Sequence, residues 1–207
     1  MGNRVHAGRP EAPPATCRFT RQLVSANRLA DRGFSEWLFY PGMFFLDKNK
    51  WWANSGLRAA PHEGVDLCFY RTAAGEHRRL APRTRVPAVA DGEVLAVIDD
   101  FLGKSIIIHH RGWKDAHGRV CTIFGHTEPP AGLSPGDRVI AGEPVARLAD
   151  ALRTGGPGPH LHVSLALVDR RLSGKDLSWP TLSGSASVLF LDPLPLLTGD
   201  VPRPAGG

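Results

Sequence analysis

Gly158-Pro159-His160-Leu161-His162-Val163-Ser164-Leu165-Ala166-Leu167-Val168 alternates polar or small residues with Leu, Val, Leu and Leu. That is the period of a half-buried strand. Leu161, Val163, Leu165 and Leu167 are therefore expected in a core, while His160, His162, Ser164 and Ala166 share the opposite face. Two imidazoles then point the same way. Gly155-Gly156-Pro157-Gly158-Pro159 cannot continue a regular element, so His160 is expected where a loop enters the sheet. An isolated HxH is most often a pair of surface histidines, and its meaning depends on what the rest of the chain brings to it.

Upstream of this stretch, short apolar runs at 86–90, 92–98, 105–110, 119–124, 137–140 and 144–148 are separated by turn residues. Short strands at this spacing predict an all-β, antiparallel architecture of the sandwich or half-barrel kind. Gly136 to Val145 reads as a tight hairpin. Across 120–126 the alternation puts Thr122, Phe124 and His126 on one face and Cys121, Ile123 and Gly125 on the other, with His126 closing the strand. His109, His110, His6, His77 and His117 read as ordinary strand-end or loop histidines.

Ahead of the strands, residues 1–17 contain prolines and alanines without periodicity and are read as a flexible lead. Residues 18–55 form a helical and aromatic extension. Within it Phe19, Leu23, Ala26 and Leu29 make one apolar stripe on a short helix that stops near Gly33, and a second helical turn is expected over 35–39. Phe44, Phe45, Trp51 and Trp52 are either core packing or one wall of a groove. Residues 169–187 read as a long polar connection and 188–194 as a last strand; a disordered tail is expected over 198–207.

The composition agrees with one globular domain. Of 207 residues 42% are apolar and 22% charged, and 23 glycines with 18 prolines imply many turns. The net charge of +5 favours anionic surroundings, but the arginines are scattered, so no nucleic-acid site is indicated. Three cysteines without a CxxC pair, Cys17, Cys68 and Cys121, indicate neither a disulfide framework nor a cysteine zinc cluster. No apolar run reaches membrane-spanning length. Met1 to Cys17 lacks the apolar core of a signal peptide, so no export signal is visible.

His62 and Asp66 carry the second chemical signal. Their spacing is helical, yet Pro61 and Gly64 argue for a turn entering a strand near Val65. His62 then reaches back from the turn, Asp66 projects from the strand, and His162 is the natural third member of a facial set. Two imidazoles and a carboxylate suit Zn²⁺, and three protein ligands with an open position mark a catalytic rather than a structural site. Glu63 reads as a solvated charge.

Set side by side, His62-x-x-x-Asp66, Phe124-Gly125-His126 and Gly158-Pro159-His160-Leu161-His162 resemble the lysostaphin-like, LytM-like zinc metalloendopeptidases. The likeness runs from about Gly56 to Leu196, and the peptidase domain is drawn at 56–197. It implies a duplicated hybrid motif fold with an open groove. It further implies zinc held by His62, Asp66 and His162, with His160 and His126 handling protons and the oxyanion. The implied substrate is a peptidoglycan peptide, the implied location the cell envelope or outside the cell, and the expected state a monomer. A loop lengthened by residues 114–118 and the long 169–187 connection depart from the family's pattern. Two other readings compete. One is a catalytically silent relative that binds and regulates wall enzymes, although all five positions are filled here. The other is a lipoyl- or biotinyl-carrier-like sandwich, which would need a lysine at a hairpin tip that this chain lacks.

Overall fold

The computed structural model describes residues 19–52, 56–113, 115–150 and 156–198. The lead expected over 1–17, with His6 and Cys17, and the tail beyond residue 198 lie outside the described residues. In chain order the elements are α1 (Phe19–Ala26), β1 (Phe34–Leu38), β2 (Val65–Leu67), β3 (Phe69–Thr72), β4 (His77–Arg79), β5 (Arg85–Pro87) and β6 (Gly92–Asp99). They continue with β7 (Lys104–His109), β8 (Arg119–Glu128), β9 (Arg138–Val139), β10 (Pro144–Leu148), β11 (Leu161–Val168), α2 (Trp179–Gly184), β12 (Val188–Leu191) and α3 (Leu194–Thr198).

Nine strands form one antiparallel sheet whose central path is β12-β11-β8-β7-β6-β9, with β2 added on β11 and β10 joining β8 to β5. A small sheet of order β1-β3-β4 stands beside it. The expected all-β antiparallel class, with a short N-terminal helical extension, is the observed one. Alternation along β11 sends Leu161, Val163, Leu165 and Leu167 into the larger core, together with Phe124, Ile106 and Ile108. Phe19 and Leu23 of α1 enter the same core, and the Phe19 ring stacks on Phe124 at 5.4 Å. A one-residue slip of β11 would exchange these leucines for histidines. Each buried leucine contributes about 2 kcal/mol of transfer free energy, so the register is firmly set.

Four sequence readings are corrected. β11 is buried along its whole length, not half-buried, because a second apolar layer covers its other face. Ala166 and Val168 join Ile107, Cys121 and Ile123 there, under Leu177 and Leu182. That layer comes from the segment read as a polar connection over 169–187. Its sparse apolar residues are carried inward by a short 3₁₀ turn, Gly174–Asp176, and by α2, which Ser178 caps at Thr181 N. The turn expected over 35–39 is strand β1. Left-handed Gly33 ends the preceding 3₁₀ turn, and pairing with β3 then packs Phe34 against Tyr70 and Trp37. Local propensity loses to tertiary packing here. Finally, β9 and β10 do not form a hairpin with each other. β9 pairs with β6 and β10 with β5 and β8, and the turn closed by Glu143 N and Ile140 O only passes the chain between them. Among the described residues, no helix is long and apolar enough to cross a membrane.

Candidate metal centre

Register brings the HxH and HxxxD motifs together. β2 runs antiparallel to β11 with Asp66 directly opposite His162, and β8 places Gly125 opposite His162 on the other side. Gly64 allows the approach: a Cβ there would stand 2.3 Å from Val163 O and 2.9 Å from His162 Nε2. His62, just before Gly64, reaches back over Asp66. The facing atoms are His62 Nε2, His162 Nδ1 and Asp66 Oδ1. His62 Nε2 lies 3.0 Å from His162 Nδ1 and 3.1 Å from Asp66 Oδ1, and the two last atoms are 3.0 Å apart. All three residues are buried.

Hydrogen bonds behind the rings set which nitrogens face inward. His62 Nδ1 donates to the Phe44 carbonyl at 3.1 Å, a group that only accepts, so the neutral ring offers its Nε2 lone pair inward. His162 Nε2 lies 2.8 Å from the Ser164 hydroxyl, which can accept its proton. With His62 carrying its proton on Nδ1 and His162 on Nε2, all three facing atoms are acceptors packed at about 3 Å, and a cation satisfies all three at once. Two nitrogens and one carboxylate oxygen match the donor set of zinc. Bonds of about 2.0–2.1 Å in a tetrahedron give edges of roughly 3.3 Å, close to the observed triangle, and leave a fourth direction open. The donor set fits. Burial pushes the Asp66 carboxyl up, but the imidazoles of His62, His160 and His162 outweigh it and hold the group well below the usual carboxylate range.

Two further histidines flank the triangle. His160, two residues ahead of His162, shares its face. Its Nδ1 donates to the Gly158 carbonyl at 2.8 Å, leaving Nε2 bare and 3.7 Å from Asp66 Oδ1. Burial pushes the His160 imidazole down to about 4, so the ring is neutral near pH 7. His126 arrives differently. Strict alternation would send it to the Phe124 side, away from His162. Instead the β7–β8 register shifts between Lys104 and Ile106, and His126 takes the left-handed conformation with φ +63°. That bulge swings the ring onto the groove face, 4.7 Å from the His160 ring and 5.8 Å from that of His162. Backbone strain of this kind at a non-glycine residue marks a position over-determined by its surroundings.

Asp100 provides the over-determination, and sequence reasoning missed it. Its Oδ2 accepts His126 N and Ser105 Oγ, each at 2.7 Å. Its Oδ1 accepts Leu102 N, Gly103 N and His126 Nδ1 at 2.9, 2.8 and 3.2 Å. Burial raises this carboxyl, yet the bonds and charge of His126 hold it well below the usual range. The only sequence signal is an acidic residue in a turn before Gly103, which reads as ordinary loop chemistry.

The five residues singled out by sequence thus converge. His62, Asp66 and His162 form the triangle, with His160 and His126 beside it, on the floor of a groove of about 620 Å³. Phe101, 51% exposed, stands edge-on to His126 on one side. Trp179 of α2 faces His162 and donates Nε1–H to Ser105 Oγ at 3.0 Å. Trp52 and Lys50 also line the groove, so part of the aromatic extension is groove wall. Glu63, read as a solvated charge, is half-buried in the groove and accepts from Ser183 Oγ at 2.9 Å. His110, read as an ordinary strand-end histidine, follows β7 and is fully buried outside the groove.

The family described as Peptidase family M23 matches residues 61–173, more than half of the chain. Among solved structures, the solution structure of lysostaphin is similar at 17% identity and a TM-score of 0.45, covering 81% of this chain and 59% of that one. The catalytic domain of EnpA, a prophage-encoded M23 protein from Enterococcus faecalis, is similar at 23% identity and a TM-score of 0.38, covering 57% and 77% respectively. LytU is similar at 19% identity and a TM-score of 0.40, covering 71% and 88%. The chain thus spans under two thirds of the length of the lysostaphin structure. No curated protein matches it.

Proposed function

The chain belongs to peptidase family M23, and from that premise we propose that it is a zinc-dependent endopeptidase that hydrolyses peptide bonds of peptidoglycan, in a stem peptide or a cross-bridge. The observation that carries the reading is the triangle of His62 Nε2, His162 Nδ1 and Asp66 Oδ1, three potential ligand atoms facing one another at about 3 Å. On this reading these three residues hold the metal, residues 56–197 are the peptidase domain, residues 18–55 are an extension packed on it, and the protein works at the cell envelope or outside the cell.

Bound there, zinc supplies Lewis-acid polarisation of the scissile carbonyl and brings water within reach of deprotonation near neutral pH. The chain's own groups do the rest. His160 is neutral, and its bare Nε2 faces the triangle, so it accepts the proton of the attacking water and returns it to the leaving amine. Gly158 keeps its other nitrogen protonated and the ring oriented. His126 donates to the developing oxyanion, with the Asp100 carboxylate holding its Nδ1. Phe101 and Trp179 bound the groove, where an extended peptide backbone can lie across the two histidines.

The test is mass spectrometry of fragments released from defined peptidoglycans by the purified, zinc-loaded protein. Release of peptides cut at one type of amide bond is the expected result. Intact polymer across neutral to mildly alkaline pH would overturn the enzymatic reading and leave a binding module of the wall machinery.

A further inference from the structure

The second oxygen of Asp66 has two partners that lie ahead of the family match, one of them in the aromatic extension. Trp51 Nε1–H donates to Asp66 Oδ2 at 2.6 Å, and Arg58 Nη2 donates to the same oxygen at 3.3 Å. The carboxylate is thus divided: Oδ1 faces the two imidazoles, and Oδ2 is occupied from behind. Trp51 also meets the His160 ring edge-on, with centroids 5.1 Å apart, so one indole touches both a member of the triangle and the adjoining histidine.

The strap that delivers Trp51 is built for the purpose. Asp47 accepts Gly42 N at 2.6 Å and Asn49 N at 2.8 Å, folding residues 42–51 back on themselves. Gly42, at φ +97°, lies so close to the returning chain that a Cβ would stand 2.7 Å from Asn49 O and 2.8 Å from Trp51 N. Arg58 closes the other end, donating to Gly42 O at 2.8 Å and lying 4.5 Å over the Trp52 ring. The same strap reaches the rest of the centre, since Phe44 O accepts from His62 Nδ1 and Met43 O from Asp66 N.

We propose that Trp51, seconded by Arg58, is a positioning residue that locks Asp66 as a one-oxygen ligand and so sets both the affinity and the coordination number of the metal centre. This rests on the reading of Asp66 as a ligand. A carboxylate freed at Oδ2 can rotate and offer both oxygens, whereas a short N–H···O bond in a buried site fixes one orientation. Packing alone would need the indole ring but not its N–H, and that difference makes the idea testable.

The experiment compares wild type with Trp51→Phe, which keeps an aromatic ring and removes the donor. Thermal unfolding of the metal-free proteins first establishes that the variant folds. Zinc affinity is then measured by competition with a chelator, and the visible spectrum is recorded with Co²⁺ in place of zinc. The expected result is a Kd about 10- to 100-fold weaker, with a loss of Co²⁺ band intensity as the second oxygen joins the metal. Unchanged affinity and an unchanged spectrum in a folded variant would overturn the inference. If Trp51→Phe does not fold, Arg58→Met carries the test, with the same spectral change in smaller measure expected and no change overturning the proposal. A wild type that binds neither ion would instead overturn the assignment of His62, Asp66 and His162 themselves.

Discussion

His110 and His162 are both buried, one just beyond the end of β7 and the other within β11 of the same sheet, and differ in where their nitrogens point. His110 follows β7; its Nδ1 donates to Asp91 O at 3.0 Å and its Nε2 accepts from Thr122 Oγ1 at 2.8 Å, under the ring of Trp113. Every polar atom of that ring has a partner of its own. His162 has one such partner, Ser164, and turns its other nitrogen toward a second imidazole and a carboxylate that are themselves acceptors. Burial alone therefore does not distinguish a structural histidine from a ligand. What distinguishes them is whether the neighbours already satisfy the ring or jointly lack a cation.

The comparison breaks most visibly in activity. His160→Ala, which removes a group facing the triangle but not a member of it, should retain zinc and lose about 10²- to 10⁴-fold in kcat/KM on a peptidoglycan substrate. His110→Gln should leave kcat/KM within a few-fold of wild type. Steady-state kinetics with metal analysis on both variants checks this. Equal losses would mean that the two burial sites are not different in kind.

Stability should reverse the ranking. Burial pushes the His110 imidazole down to about 4, from the ordinary histidine value of 6.5. A depressed folded pKa means that the unfolded chain binds more protons between these values, so stability is fully present above about pH 6.5 and falls as the pH drops toward 4. The full shift corresponds to about 3 kcal/mol. Denaturant unfolding at pH 7.5 and 4.5 should show a loss of that order in the wild type, less in His110→Gln. An equal slope in both would remove His110 as the cause.

His126 is the intermediate case, with one nitrogen held by Asp100 and the ring set by a strained backbone. Asp100→Asn keeps the shape but removes the carboxylate that holds His126 Nδ1. It should lower kcat by roughly 10- to 100-fold with zinc content unchanged, as steady-state rates and metal analysis on the purified variant can show. Loss of zinc along with rate would place Asp100 in the structural support of the metal instead.

How much of this was legible in the sequence follows from the range of each signal. The strand period of β11, the turn at Gly64 and the identities of His62, Asp66, His126, His160 and His162 are local, and they converge as read. His126 reached the groove for a reason the alternation did not contain, a bulge that only the β7–β8 register and Asp100 explain. Asp100 acts across 26 positions without a motif, and Trp51 acts across 15, so neither could be told from loop acid or core aromatic. The second apolar layer was invisible for a related reason. Leu177 and Leu182 stand alone among polar residues and gain meaning only when the 3₁₀ turn and α2 lay them over Cys121 and Ile123.

The most direct test is metal content. Wild type, Asp66→Ala and His110→Gln would each be dialysed against excess zinc and then against buffer, and the metal measured per folded chain. One zinc is expected in wild type, one in His110→Gln and essentially none in Asp66→Ala, because among the described residues His62, Asp66 and His162 are the one group of three side chains placed to hold an ion. Zinc retained by Asp66→Ala, or none in a folded wild type, would contradict it.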